Sequence, residues 1–394
     1  MSARIATVVH GRFYAFDLVR ELCRLGSDAA VLTNYPAWAA ARFGVPAHAV
    51  RSNTFHGFLS RVLQKTGLSQ LRFCEATLHT LFGKWAARKL DGAGFDVVQC
   101  FSGVAEEVFA HRSNANKLKL LVRASTHIRT QLELLVQEEG RAGVAVSKPS
   151  AWMVARETRE YELADRIVVL STFCRDSFIR QGTDPSKLWL LPLGVEVSRF
   201  RSTSTEAQAR GDRIVNGGKL RVLTTGAFLL RKGAVDYVDI VEQSGNAFEF
   251  RWVGPVPPEA EHLRRRLQAR VSFVPKVPQY ELKNHYDWAD LYVFPTIEDG
   301  FPVVLSQAQA AGLPIIATPN SSAPDIVQEG ETGWIVPARS PAAFVERLRW
   351  CDVSRHELAK VAHISYGRRE PDDWSAVASR FRALVESEGV RRGQ

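Results

Sequence analysis

The 394-residue sequence contains no C-x-x-C pair. Its five cysteines, Cys23, Cys74, Cys100, Cys174 and Cys351, are scattered. Neither a disulfide framework nor a zinc site is indicated, and the pattern fits a reducing cytoplasm. No run approaches the ~18 apolar residues needed to cross a bilayer. The opening RIATVV reads as a strand, without the basic stretch and long apolar core of a signal peptide. No G-x-G-x-x-G follows any strand, which disfavours a nicotinamide dehydrogenase. Asp-x-Asp is absent throughout. With 27 Gly and 18 Pro, nothing is collagenous or broadly disordered. No short repeat suggests a solenoid.

What is present is positive charge on one side of the chain. Residues 1–200 hold 26 Lys and Arg against 18 Asp and Glu, which is nearly all of the net +9. A one-sided basic half implies an anionic partner: nucleic acid, a phosphorylated substrate or an acidic membrane surface. Nucleic acid is the weaker of these, because no nucleic-acid motif accompanies the charge.

Short apolar runs alternate with helix-periodic stretches, and the alternation occurs twice. The first set runs from RIATVV (4–9) through FDVVQC (95–100), KLLVRAS (119–125) and DRIVVLS (165–171). A polar stretch over 198–219 reads as a linker, and LRVLTTG (220–226) restarts the pattern. Two βα sets in succession predict two Rossmann-like α/β domains facing across a cleft. The expected boundaries are 1–200, 201–371 and a C-terminal helix and tail over 372–394, the helix running from about 372 to 388 and returning to the first domain.

Ligands of such sheets sit beyond the carboxyl ends of the strands. Three loops of the second half end there. In TGAFLLRKGAVDY (225–237), Arg231 and Lys232 precede a helix and could hold a diphosphate, or simply form a solvated basic turn. VPKVP (274–278) presents a stiff backbone edge to a flat ring. EDGFPVVLSQAQAAGLPIIATP (298–319) puts Glu298 and Asp299 before a helix carrying Gln307. A glutamine offers both donors and an acceptor to hydroxyls, or is a plain exposed helix position.

In this order, GAFLLRKG, WVG, EDGFPVVLSQAQAAGLPIIAT and ETGWIVP resemble the C-terminal half of the family-4 (group 1) retaining glycosyltransferases of the GT-B fold. STHI (125–128), EYELADRIVVLSTFCRDSF (160–178) and LPLGVEVSRF (191–200) extend the likeness weakly into the first half. The resemblance implies retaining sugar transfer from a nucleotide-diphosphate donor to a glycan, lipid-linked or small-molecule acceptor. It implies no cofactor and no metal, with which the missing Asp-x-Asp agrees. Lys232 matches the family's diphosphate lysine, while its arginine, five residues earlier, is Ala227 here; Arg231 is the candidate substitute. The family's glutamate pair, with seven residues between its members, falls on Asp299 and Gln307. A one-residue shift would give Glu298 and Ser306 and put the helix motif out of register. The likeness thus implies Asp299 facing the donor sugar, Gln307 at the ribose, and donor contacts from Glu298, Gly300, Phe301 and Val277.

In the first half the resemblance assigns His127 to the donor sugar and the bond that breaks; a helix-terminal or core histidine is the bland alternative. The HGRFY loop (10–14) would lie over diphosphate and acceptor, with Gly11 allowing close approach and Arg12 reaching the acceptor. Residues 53–90 mix Phe, Leu and Trp with Arg and Lys. They read either as helices packed on the sheet or as a surface lying on an anionic membrane, peripheral on its inner face. A non-catalytic sugar-nucleotide-binding or scaffold protein is the rival expectation, motivated by Ala227, Asp299 and Gln307.

Overall fold

A computed structural model describes residues 3–67, 72–368 and 371–393. Its strands are the short apolar runs of the sequence, and the central ones, Ile5–Val9, Ala29–Thr33, Val97–Phe101, Leu291–Phe294 and Ile315–Ala317, are buried along their whole length, as a parallel sheet covered on both faces requires. The first sheet holds β1 (Ile5–Val9), β2 (Ala29–Thr33), β3 (Val50–Ser52), β4 (Val97–Phe101), β5 (Leu118–Arg123), β6 (Arg166–Val169) and β7 (Leu188–Leu190). All its pairs are parallel, in the order β3-β2-β1-β4-β5-β6-β7. The second holds β8 (Leu220–Thr225), β9 (Phe248–Val253), β10 (Val271–Val274), β11 (Leu291–Phe294), β12 (Ile315–Ala317) and β13 (Gly333–Ile335). It too is parallel, in the order β10-β9-β8-β11-β12-β13. Each order reverses beside its first strand, between β1 and β4 and between β8 and β11, which is where such sheets open a crevice.

The C-terminal helix Trp374–Gly393 leaves the second unit and packs on the first, beginning two residues later than expected and running to Gly393. Val377, Ala378, Phe381 and Val385 share an apolar cluster with Phe16, Val19 and Leu22 of the helix Ala15–Arg24. Arg382 donates to the Leu25 carbonyl, and Arg166 pairs with Glu388 at 2.6 Å.

The polar stretch 198–219 is not an open linker. Thr203 and Glu206 form a reciprocal cap that starts the helix Ser204–Val215. From that helix the buried Arg210 donates to the carbonyls of Ala289, Ala311 and Gly312 at 3.0, 2.8 and 3.3 Å. Polar composition misleads here because one arginine is satisfied chiefly by backbone oxygens, with the Ser202 hydroxyl at 3.5 Å.

Candidate active site

The loop Pro295–Pro302 follows β11 and crosses to the first sheet. Gly300 allows that approach: a Cβ there would stand 2.2 Å from the Ala124 carbonyl oxygen and 2.7 Å from the Ser125 Cα. Phe301 goes further across, into the apolar cluster that holds Tyr14, Leu193 and Phe381. The ring thereby anchors the loop on the first unit, while Phe301 still lines a cavity with Pro192, Leu193 and Ser306.

Glu298, expected at the donor, also turns to the first unit. It is fully buried, with donors on both oxygens. Ser125 Oγ makes a very short bond to Oε1, and Thr126 donates its N–H at 3.2 Å and its hydroxyl at 3.1 Å to the same atom. Gln131 Nε2 and Arg231 Nη1 each reach Oε2 at 3.1 Å. Burial alone would raise its pKa, but Arg231, Ser125, Thr126 and Gln131 together outweigh burial and hold it near 2. A second layer orders these donors: Arg123 donates to the Thr126 carbonyl and to Gln131 Oε1, and pairs with Glu157. Glu298 therefore joins the two units.

Arg231 is drawn into the same clamp, since its Nη1 also donates to the Glu298 carbonyl at 2.8 Å. Lys232 is directed elsewhere. Gly233, at φ +80° and pressed on the Pro295 carbonyl, ends the short turn Leu230–Lys232. Lys232 Nζ meets the Asp299 carboxylate and lies 5.6 Å from the Phe294 ring. Burial, then the Arg231 guanidinium, push the Lys232 ammonium well below its ordinary value, while Glu298 opposes them.

Gln307, in the helix Val303–Ala310, ends a hydroxyl chain. The Thr225 N–H donates to Tyr292 Oη at 3.3 Å, which leaves the Tyr292 proton for Thr225 Oγ1 at 2.9 Å. Thr225 Oγ1 lies 3.0 Å from Tyr286 Oη, and Tyr286 donates to Gln307 Oε1 at 2.9 Å. With all bonds running one way, the amide oxygen accepts from Tyr286 and Nε2 is left as a donor.

His127 caps the helix Ile128–Ala142. Its Nδ1 accepts from the Arg129 N–H at 3.2 Å, and its ring packs 4.9 Å from Tyr161 and 5.0 Å from Phe178. Burial first, then Arg129 and Arg123, lower its pKa to about 4. The ring is thus neutral near pH 7, with its proton on Nε2. The bland capping role is real, and the tautomer it selects is a hydrogen-bond donor.

Other expected residues are not gathered with these. Arg12 folds back with its guanidinium 4.1 Å from the Phe43 ring, so it does not extend toward an acceptor. Gly11 is tied to β2, its N–H donating to Asn34 Oδ1 at 2.8 Å and its carbonyl accepting from Thr33. Val277 packs half-buried against the cluster that holds Phe294 and Leu305. Sequence reading missed His10, whose Nε2 is sealed without a partner beside His56 and His79, each 5.3 Å away between ring centres. The histidine that opens HGRFY was its only signal. Among the described residues no group of three or more His, Cys, Asp or Glu is placed to hold a metal ion.

Residues 12–199 match the family model Glycosyltransferase Family 4, and residues 219–351 match Glycosyl transferases group 1. The chain belongs to the family-4 glycosyltransferases. Among curated relatives of this glycosyltransferase, the amylovoran biosynthesis glycosyltransferase AmsK of Erwinia amylovora is 27% identical over 199 residues, 46% of this chain and 47% of AmsK. D-inositol 3-phosphate glycosyltransferase of Streptomyces bingchenggensis is 28% identical over 266 residues, 62% of this chain and 57% of the relative. The chain spans about half the length of the curated relatives it matches. Anabaena Alr3699/HepE, solved in complex with UDP, superposes with a TM-score of 0.71 at 12% identity, covering 98% of this chain and 100% of HepE. Sucrose-phosphate synthase from Thermosynechococcus elongatus gives 0.73 at 18% identity, covering 99% and 100%. The likeness to these structures makes the GT-B architecture of this family-4 glycosyltransferase plain.

Proposed function

We propose that the protein transfers a sugar from a nucleoside-diphosphate donor to a glycan, lipid-linked or small-molecule acceptor, with retention and without a metal. The observation that carries this reading is the Lys232–Asp299 contact at the carboxyl edge of the second sheet. A carboxylate now occupies the ammonium that a diphosphate would take. When the donor displaces it, Lys232 neutralises the phosphates and Asp299 is free to accept hydroxyl protons of the sugar. The C1–O bond to phosphate breaks, the acceptor oxygen bonds C1 on the same face, and the acceptor proton leaves with the diphosphate. His127 Nε2–H donates to the sugar or to the developing charge. Gln307 donates to the ribose.

Five cysteines without a disulfide support a cytoplasmic site, and the basic first half supports a position on the inner face of an anionic membrane. Ala227 and the occupied oxygen of Gln307 favour a second reading, a sugar-nucleotide-binding protein without turnover.

The test is a thermal-shift panel of nucleoside diphosphates and nucleotide sugars, followed by release of free sugar from whichever donor binds. Slow hydrolysis that Lys232→Ala abolishes supports transfer. Binding with no hydrolysis and no transfer supports the second reading, and no stabilisation by any nucleotide overturns both.

A further inference from the structure

The helix Thr54–Lys65 turns its aromatic residues outward. Its buried residues are His56 and Gly57. Gly57 lies so close to the loop after β2 that a Cβ would stand 2.1 Å from the Asn34 carbonyl oxygen, and His56 Nε2 bonds the Leu78 carbonyl at 3.0 Å. The helix is therefore held by its polar and glycine face. Phe55 and Phe58 are 77% and 68% exposed, and with Val62 they form one stripe at helical spacing. Phe73, at the start of the next helix, is 80% exposed, and Trp38, on the far side, is 64% exposed. Arg61 lies over the Tyr35 ring, which joins the helix to the 35–42 segment, where Arg42 lies over Trp38.

The rest of the chain does not do this. It has 21 Phe and 9 Trp, yet among the described residues every exposed Phe and Trp lies between positions 13 and 73. Charge follows the same stretch. Residues 53–90 hold six Lys and Arg and one acid, Glu75, and Arg61, Lys65, Lys84, Arg88 and Lys89 are exposed. Aromatic rings flanked by cations, with almost no anion among them, match the headgroup region of an acidic bilayer: rings enter the interface while ammonium and guanidinium groups meet phosphates. Among the described residues no helix is long and apolar enough to cross a membrane, so this contact lies on the surface.

We infer that the helix Thr54–Lys65, with Trp38 and Phe73, docks this protein on an anionic phospholipid surface. Docking would bring the carboxyl ends of β1 to β3, and the His10–Gly11 loop beside them, down to the lipid.

The test is co-sedimentation of the whole protein with phosphatidylcholine vesicles, with and without phosphatidylglycerol. The expected result is binding only to the anionic vesicles, weakened by salt. Phe55→Ser/Phe58→Ser should lower the partition at least roughly tenfold, and Arg61→Glu/Lys65→Glu by a similar factor, since each surface cation is worth roughly fivefold. Unchanged melting of both variants would show that the exposed side chains carry the loss. Equal binding to neutral vesicles, no binding by wild type, or variants that bind like wild type would each overturn the inference. So would light scattering that shows a dimer dissolved by Phe55→Ser/Phe58→Ser, because the stripe would then face a second copy. Vesicle binding needs neither donor nor turnover, so its failure leaves the transfer reading standing.

Discussion

Glu298 receives donors from both halves of the chain, and its charge is what those donors require. With a folded pKa near 2 against an ordinary 4.5, it contributes stability that is fully present above about pH 4.5. That contribution is lost as pH falls through the folded value, and its full size is about 3 kcal/mol. Urea melts from about pH 5 down to about pH 3 should therefore be steeper in wild type than in Glu298→Gln, which lacks this ionisation. Glu298→Ala leaves Arg231 and Gln131 around a buried gap and should cost about 3 kcal/mol at neutral pH. Gln307 makes a different prediction, about polarity. On the proposed ribose contact the wild-type Nε2 donates, so a nucleoside diphosphate methylated on its ribose oxygens would keep the acceptors this contact needs. Gln307→Glu offers only acceptors. Calorimetry should show methylation weakening binding roughly tenfold more in Gln307→Glu than in wild type, since about 1.4 kcal/mol is a factor of ten. Equal penalties in the two proteins would reverse the direction assigned to the hydroxyl chain.

At the scale of elements, the helix Ser204–Val215 shows how a linker becomes part of a core. Arg210 supplies donors to carbonyls at the ends of two other helices, Gln279–Trp288 and Val303–Ala310, where backbone oxygens lack partners. Arg210→Ala should lower unfolding stability by about 3 kcal/mol, read by chemical denaturation, because several buried carbonyls lose their donor together. Thr203→Ala at the cap of the same helix should cost only about 1 kcal/mol. The contrast was not legible in residues 198–219. A capping pattern is local and can be read from sequence; the carbonyls that Arg210 meets lie 76 to 102 residues away. The aromatic helix Thr54–Lys65 was similarly ambiguous. Its periodicity predicts a helix but not which face is held, and Gly57 against Asn34 decides that.

Across the whole molecule, the helix Ile128–Ala142 is the strut between units. It starts at the first sheet, yet Leu135 and the following Val146 are buried in the apolar cluster of the second. Glu138 and Asp236 face each other there, their pKa values raised chiefly by burial. Arg141 bonds both, and Arg339 reaches Glu138 at 3.4 Å, Gln137 at 2.6 Å and the Leu134 carbonyl at 3.0 Å. Removing the cations leaves two buried carboxylates without compensation, which favours separation of the units over costly burial. Arg141→Ala/Arg339→Ala should therefore raise the radius of gyration in solution scattering without nucleotide, with helix content unchanged by circular dichroism. An unchanged radius would mean that the contacts around Glu298 and Phe301 suffice to keep the units together.

The amino-acid sequence by itself determined the two parallel sheets, the polar stretch between them, and the resemblance of its second-half loops to those of the family-4 glycosyltransferases. These follow from apolar runs, glycine turns and motif order, all of which are local along the chain. Tertiary structure alone decided that Glu298 and Phe301 bind the other unit, that Arg12 folds away, and that Asp299 rests on Lys232. Each of those outcomes depends on which distant group reaches a charge or a hydroxyl first once water is excluded, and spacing along a chain carries no information about that.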